Sequence, residues 1–345
     1  MHAHSALKSE HLLRLPHPEV ETMHLLITGA TGFVGKALCE AANHLGAHVR
    51  AASRQSFDFG AGIENSVIPD LGGLENPAIN SSELLRHAVK DMDVVVHLAA
   101  RVHVMHESEA DAISAYRRVN VDGTLQLARA AAAAGVRRFV YLSSIKVNGE
   151  STELGHPFAA DDAARPEDPY GVSKLEAEQA LIKLTQSTNM ELVIIRPPLV
   201  YGPGVGANFA AMMRWLSYRL PLPLGSIQNQ RSMVGLDNLT DLILRCCYHP
   251  AAAGQVFLVS DGHDVSVSEL LSRIARLMQL PNRLMPVPMP VIRFFATLLG
   301  KQGVAQRLCG SLQVDIEKTR RLLGWNPPVS LDAGLRKTVD WFLAK

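Results

Sequence analysis

A tyrosine and a lysine four residues apart, Tyr170 and Lys174, are the pair in this chain whose types and spacing most directly suggest chemistry. They lie in the stretch Asp168-Pro169-Tyr170-Gly171-Val172-Ser173-Lys174. Asp168 is a good N-cap, and Pro169 suits the first helical position, where a missing N–H costs nothing. A helix beginning there puts Tyr170 and Lys174 on one face and within reach of each other. A nearby ammonium favours phenolate over phenol, so the spacing predicts a Tyr170 pKa drawn down toward working pH. A phenol tuned in this way can give or take a proton on a substrate oxygen while hydride moves at the adjoining carbon. Alone, the pattern is weak, because such pairs occur on many solvated helix faces. Its neighbours in the sequence give it meaning.

Upstream, a short apolar strand from Leu25 to Thr28 runs into Gly29-Ala30-Thr31-Gly32-Phe33-Val34-Gly35. An apolar-periodic helix follows, carried by Phe33, Val34, Ala37, Leu38, Ala41 and Leu45. The three glycines allow a tight turn, close approach of backbone to a pyrophosphate, and close helix–strand packing. Their spacing is G-x-x-G-x-x-G rather than the usual G-x-G-x-x-G, but the strand before and helix after supply the required context. A second strand, His48 to Ser53, ends Ala51-Ala52-Ser53-Arg54, without the acid that grips the ribose hydroxyls of NAD. The planar fork of Arg54 could meet a 2′-phosphate instead, which favours NADP(H) and leaves NAD(H) as the other choice. Asp70-Leu71 follows the short strand at Val67 and Ile68, where the acid could touch the adenine. Asp93 to Ala100 reads as a buried parallel strand whose end, Leu98 to Ala100, lies over the cofactor. A long helix, Asp111 to Ala134, carries Asn120 and ends at Gly135. Two more strands are expected: Phe139 to Ser143, closing with Ser144-Ile145-Lys146, and Glu191 to Arg196, stopped by Pro197 and Pro198.

After Tyr201 the strand–helix alternation loosens. Asn208 to Leu220 reads as an amphipathic helix, and Leu222 to Gly225 as an extended segment. Asp237 to His249 and Gln255 to Ser260 read as a helix and a strand that return to the first sheet. Val267 to Leu280 is a helix, followed by a linker marked by Pro281, Pro286, Pro288 and Pro290. Met289 to Gly300 is strongly apolar and is expected to be a core helix of a small domain, with membrane contact as the other reading. The length of 345 residues suggests two domains. The division expected is a flexible tail over 1–23, a dinucleotide-binding domain over 24–200 to which 237–262 returns, and a mainly substrate-binding part over 201–345. The tail holds His2, His4, His11 and His17 with no hydrophobic period and no signal-peptide core.

Lys plus Arg number 34 against 33 Asp plus Glu, which gives no footing for a nucleic-acid partner. No apolar run approaches the length that spans a bilayer, so membrane insertion is not expected. The four cysteines, Cys39, Cys246, Cys247 and Cys309, have no metal or redox spacing and read as reduced thiols of a cytoplasmic protein with no metal site.

Together these segments resemble the extended short-chain dehydrogenase/reductase family: the nucleotide-sugar epimerases, dehydratases and reductases. The matching pieces are TGATGFVG (28–35), HLAA (97–100), VNVDGT (119–124), SSIKVNG (143–149), YGVSK (170–174), RPPLVYGPG (196–204) and LGW (323–325). They run through nearly all of the chain after His24, and as an ordered set they are specific. The resemblance implies an α/β, Rossmann-type doubly wound parallel sheet with a smaller C-terminal substrate domain. It implies that Tyr170 is the general acid/base and that Lys174 binds the nicotinamide ribose. Ser144 would hydrogen-bond the sugar C4 oxygen, and Asn120 would sit at a helix irregularity beside the site. Gly29, Thr31, Gly32, Phe33, Val34, Gly35, Ser53, Arg54, Asp70, Leu71, Leu98, Ala99, Ala100 and Pro197 would line the cofactor. Asn208, Leu224 and Arg231 would meet the substrate, with Asn208 and Arg231 at its diphosphate. An arginine is apt there, because its fork accepts two phosphate oxygens.

Two departures refine the reading. The 4,6-dehydratases carry an Asp-Glu pair directly after the Ser/Thr at this strand end, whereas this chain has Ile145-Lys146, which argues against elimination. Lys146 follows Ser144 by two, so on a strand end both side chains would point toward the sugar, where the ammonium could polarise a ketone. The second departure is the missing acid after strand two, which suits a net reductase more than an epimerase with resident NAD. SSIKVNGE, EDPYGVSK, RPPLVYGPGV, LPLPLG and GSLQVD look most like bacterial reductases that complete UDP-N-acetylquinovosamine for surface polysaccharide. The leading expectation is therefore NADPH reduction of the 4-keto group of a UDP-4-keto-6-deoxy-N-acetylhexosamine. A UDP-glucose or UDP-N-acetylglucosamine 4-epimerase is the second reading and a non-catalytic cofactor sensor the third. By family analogy, a homodimer would pair the long helix 111–134 with the helix from Tyr170.

Overall fold

The computed structural model describes residues 18–345 apart from 74–80, 103–108, 299 and 301. Seven parallel strands form one sheet in the order β3-β2-β1-β4-β5-β6-β9. They are β1 (His24–Thr28), β2 (His48–Ser53), β3 (Ile63–Val67), β4 (Val94–His97), β5 (Arg138–Leu142), β6 (Glu191–Arg196) and β9 (Gln255–Leu258). Between β6 and β9 the chain makes a separate parallel pair, β7 (Leu199–Tyr201) with β8 (Met233–Gly235). Strands of this kind are buried on both faces and so read as continuous apolar runs, as Leu25, Leu26 and Ile27 in β1 and Val94, Val95 and Val96 in β4 do. The strand order reverses direction between β1 and β4, and the carboxyl ends at such a switch point are where ligands of open parallel sheets bind.

Helices α1 (Pro18–Glu21), α2 (Phe33–His44) and α3 (Ser81–Val89) accompany the first three strands. The long helix expected over 111–134 is three segments: α4 (Glu109–Arg117), a π-helical stretch over Arg118–Gly123, and α5 (Thr124–Ala133). Next comes α6 (Pro169–Thr185), and then α7 (Ala207–Ser217), α8 (Leu236–Tyr248) and α9 (Val267–Leu277). The chain closes with α10 (Met289–Leu298), α11 (Gln302–Cys309), α12 (Glu317–Leu323) and α13 (Leu331–Leu343). One face of the sheet buries Leu25, Ile27 and Val94 with Leu38 of α2 and Leu239 and Ile243 of α8. The other buries Leu26, Val95 and Phe139 with Leu127 of α5 and Leu181 of α6. A third apolar cluster, including Phe209, Met213, Ile274 and Leu335, lies in the C-terminal part.

Most of the expected tail, residues 1–17, lies outside the described residues. Its last part does not behave as a tail, because Val20 and Met23 are apolar and join the first core. A larger correction concerns the C-terminal half. Met289 to Leu298 is helical, but no described residue of α10 is buried, so it is not a core helix. The extended segment around Leu222 is zipped by backbone hydrogen bonds to 283–285, with Leu222 N–H donating to the Arg283 carbonyl and Met285 N–H to the Leu222 carbonyl.

Candidate active site

The glycine turn sits at the carboxyl end of β1. Gly29 has φ +68°, and a Cβ there would meet the Ala99 backbone nitrogen at 2.8 Å, so the turn and the segment after β4 touch backbone to backbone. A Cβ on Gly35 would lie 2.2 Å from the Gly29 carbonyl oxygen, so α2 is seated directly on the turn. Gly32 is the N-cap of α2 and has no side chain to fill the helix N-terminus, which a pyrophosphate can therefore approach. Thr31, Phe33 and Val34 lie in the turn and the first turn of α2, with Phe33 and Val34 half-buried. Leu98 N–H donates to the Thr28 carbonyl. Sequence reasoning missed the support beneath this crossing. His97 is fully buried between the Thr28 hydroxyl at 2.6 Å and the Thr124 hydroxyl at 2.9 Å. Burial, with a contribution from Lys174, pushes its pKa down to about 3, so the ring is neutral and can donate on one side and accept on the other.

At the end of β2, Ser53 is buried and its hydroxyl donates to the Gln55 carbonyl, whereas Arg54 is exposed. Asp70 is exposed and accepts from Gly72 N–H at 3.3 Å. Leu71 is buried against Gly123 of the π segment. Ala100 is half-buried, and Pro197 is buried with its carbonyl accepting from Ile145 N–H at 3.0 Å.

The start of α6 is built as the sequence predicts. Asp168 accepts from Gly171 N–H at 2.6 Å, and Pro169 opens the helix. A Cβ on Gly171 would fall 2.8 Å from the Lys146 carbonyl, so only glycine lets α6 approach the turn after β5 this closely. Asn120, placed by the π segment, donates to Ser173 Oγ at 2.9 Å and accepts from Arg101 N–H at 2.8 Å. Ser173 in turn donates to the Tyr170 carbonyl at 2.8 Å. Asn120 thus ties α6 to the segment that follows β4. Glu178 on α6 is held by buried Arg196 at 2.5 Å, and Arg196 also donates to Asn148 Oδ1 at 3.0 Å. These contacts fix the helix that carries Tyr170 and Lys174 against the ends of β5 and β6.

Two electrostatic expectations are corrected. Lys174 Nζ donates to the Leu142 carbonyl at 2.7 Å and lies 4.2 Å from the Tyr141 ring centroid. It is fully desolvated, which draws its own pKa down to about 7. Tyr170 moves opposite to the expected direction: burial raises its pKa well above 10, and Asp168 and Tyr116 add to the rise. Tyr116 packs edge-on at 5.9 Å between centroids. The phenol is therefore held protonated. Lys146 is the second correction. Strand β5 stops at Leu142, and Ser144 caps a short 3-10 turn over Ile145–Val147, accepting from Lys146 N–H at 3.3 Å. Strand alternation no longer applies, and the Lys146 ammonium pairs with Asp168 and, at 2.9 Å, with Glu150. Both partners outweigh the cost of burial and hold its pKa up. The same contact, with Gly171 N–H, holds Asp168 below the usual carboxylate range against its own burial.

Of the expected substrate residues, Arg231 is half-buried, is paired by its backbone to Val265 and donates Nη1 to the Gly310 carbonyl at 3.1 Å. Burial lowers its pKa, because desolvation disfavours the charged guanidinium. Leu224 packs into the third core, and its carbonyl accepts from Ser268, so its side chain serves the domain interior. The side chain of Asn208 lies outside the described residues.

Residues 25–260 match the NAD dependent epimerase/dehydratase family. The chain belongs to that family. A relative described as a UDP-glucose 4-epimerase, from Vibrio cholerae, is 47% identical over 92% of this chain and 95% of its own length. One described as a GDP-6-deoxy-D-mannose reductase, from Pseudomonas aeruginosa, is 26% identical over 93% and 97%. The solved structure of MoeE5 in complex with UDP-glucuronic acid and NAD is 25% identical, with a TM-score of 0.73 over 93% of this chain and 99% of that one. As a family member, the chain is an enzyme of the nucleotide-sugar epimerase/dehydratase type on a Rossmann-like sheet. No helix of the described residues is long and apolar enough to cross a membrane, and no cluster of metal-ligating side chains occurs among them.

Proposed function

We propose that this chain reduces the 4-keto group of a UDP-4-keto-6-deoxy-N-acetylhexosamine with NADPH, giving a UDP-N-acetylquinovosamine-type product in the cytoplasm. The observation that carries the reading is the end of β2, where buried Ser53 and exposed Arg54 stand in place of a ribose-binding acid. In this reading the glycine turn at Gly29, Gly32 and Gly35 takes the pyrophosphate, and Arg54 takes the 2′-phosphate. The cofactor supplies hydride to the sugar C4. Tyr170 gives the proton to the C4 oxygen, and Ser144 hydrogen-bonds that oxygen. Lys174 meets the nicotinamide ribose, and Arg231 takes the diphosphate. Reduction needs Tyr170 in its acid form, and burial with Asp168 keeps it there. In domain form, 24–200 with 237–262 holds the dinucleotide and most of 201–345 the sugar nucleotide. Two chains would associate through the helices around 109–133 and 169–185.

A second reading, a UDP-glucose 4-epimerase with resident NAD, is favoured by the Vibrio cholerae relative's description. One experiment separates the two. Purified enzyme is given the UDP 4-keto-6-deoxy sugar with NADPH, and separately UDP-glucose or UDP-N-acetylglucosamine without added cofactor. Stoichiometric NADPH oxidation with a single C4 epimer by NMR supports reduction. Rapid conversion to the galacto isomer, with no NADPH consumed on the keto sugar, overturns it in favour of epimerisation.

A further inference from the structure

Helix α10 reverses the usual arrangement of a surface helix. Val291, Phe294, Phe295 and Leu298 are spaced i, i+3, i+4, i+7, which places them on one face. That face points outward: Phe294 is 65%, Phe295 55% and Leu298 71% exposed. Ile292, on the other side, packs against the third core. The helix is thus anchored on one side and presents its larger apolar residues to the outside on the other.

A second group of exposed apolar residues lies on an element joined to α10 through a short backbone pairing. Residues 283–285, which lead into α10, are zipped to the segment that follows α7, and Arg283 Nη1 donates to the Arg219 carbonyl at 2.9 Å. At that end of α7, Trp215, Tyr218 and Leu220 are exposed. Tryptophan and tyrosine with one apolar body and one polar tip are the residues enriched where hydrocarbon meets water.

Charge identifies what such a surface fits. The chain as a whole is balanced, yet residues 192–236 and 270–314 contain no aspartate or glutamate. These segments build α7, the zipped pair, α10, α11 and the part of α9 that follows Glu269. Arg214, Arg219, Arg276 and Arg283 lie within them and are exposed, whereas Arg293 is on the opposite side of α10, beside Cys309. A protein partner's rim carries both signs, whereas an anionic bilayer presents one sign over its whole surface and suits a surface stripped of carboxylates.

We propose that the face formed by α10 and the end of α7 docks on an anionic phospholipid bilayer, with Phe294, Phe295 and Leu298 entering the headgroup–acyl boundary. The arginines meet lipid phosphates, and the protein binds reversibly at the surface without spanning it. Docking of this kind holds the enzyme at the membrane face during turnover.

The test is flotation of the full-length protein with vesicles. Vesicles of phosphatidylglycerol mixed with phosphatidylethanolamine should carry the protein upward, and vesicles of phosphatidylcholine alone should carry at least tenfold less. Raising sodium chloride from 0.1 to 0.5 M should weaken the anionic binding severalfold, since exposed charges are screened. The triple variant Phe294→Ser, Phe295→Ser, Leu298→Ser should lose binding at least tenfold with the wild-type circular dichroism spectrum and turnover intact. Arg214→Gln with Arg219→Gln should lose the preference for anionic vesicles while leaving the helix unchanged. Failure of the wild type to float with phosphatidylglycerol overturns the proposal. So does equal binding by the triple variant, or a wild-type dimer in sedimentation that ignores vesicles and that the triple variant dissolves.

Discussion

Lys174 gives a prediction that runs against the usual effect of deleting a buried hydrogen bond. Its folded-state pKa of about 7 lies below the ordinary 10.5 because the ammonium is buried. A base with a depressed folded pKa binds protons better when unfolded, so it destabilises the fold; the penalty is full below the folded pKa and disappears as pH rises through 10.5. From those two values the penalty is about 4 kcal/mol at pH 7 and about 2 kcal/mol at pH 9. Lys174→Met removes it. The variant also loses the bond to the Leu142 carbonyl, which costs about 1–3 kcal/mol when that acceptor is left buried. We therefore expect Lys174→Met to be more stable than wild type at pH 7 by about 1–3 kcal/mol, with no turnover. The gap should close by about 2 kcal/mol between pH 7 and pH 9. Urea unfolding of both proteins at the two pH values reads this directly, and groups common to both cancel. A variant less stable than wild type at pH 7, by an amount that does not change up to pH 9, would refute the reasoning, because it would mean that the ammonium is not desolvated.

Tyr170→Phe should keep nucleotide binding and lose at least ~10²-fold in kcat, the scale of general acid catalysis; near wild-type turnover would remove Tyr170 from its role. Arg54→Ala should erode a preference for NADPH over NADH by ~1.5–3 kcal/mol, read by fluorescence titration, and equal wild-type affinities would contradict the assignment of Arg54. Arg196→Met leaves Glu178 buried and unpaired and should cost ~3–5 kcal/mol in chemical unfolding, whereas adding Glu178→Leu should recover most of that. Gly35→Ala forces a Cβ against the Gly29 carbonyl and should abolish nucleotide binding along with a drop in melting temperature; unchanged binding would show that the turn can yield.

Six strands of the sheet and helix α2 were legible because parallel β-strands and glycine turns have local signatures, whereas α1, most of β3 and the β7–β8 pair carry none. Asp168 and Pro169 marked the start of α6 for the same reason: a cap is set by adjacent residues. What failed depends on distance through space. The spacing of Tyr170 and Lys174 says that the two can meet, but the ammonium is taken by the Leu142 carbonyl, thirty-two residues earlier in the chain. Lys146 was read as part of a strand that ends four residues before it, and its partner Asp168 could not be seen from the motif. The buried His97, clamped by Thr28 and Thr124, had a weak signal in the HLAA segment, and only the β1–β4 pairing reveals it. In α10 the periodicity is correct for a helix but is silent on which face is covered.

Strand β9 also has a consequence during synthesis. It pairs with β6, yet Gln255 is made roughly sixty residues after Arg196. At ~5–20 residues per second, the nascent chain waits about 3–12 seconds with the outer edge of β6 uncovered. Val193, Ile194 and Ile195 on that edge form an apolar template of the kind that recruits other chains. The ribosome-bound chain therefore carries an incomplete sheet for that interval, and the yield of soluble enzyme in cells should respond to chaperone supply and to pauses in translation between codons 197 and 258. Truncation before β9 would make that interval permanent.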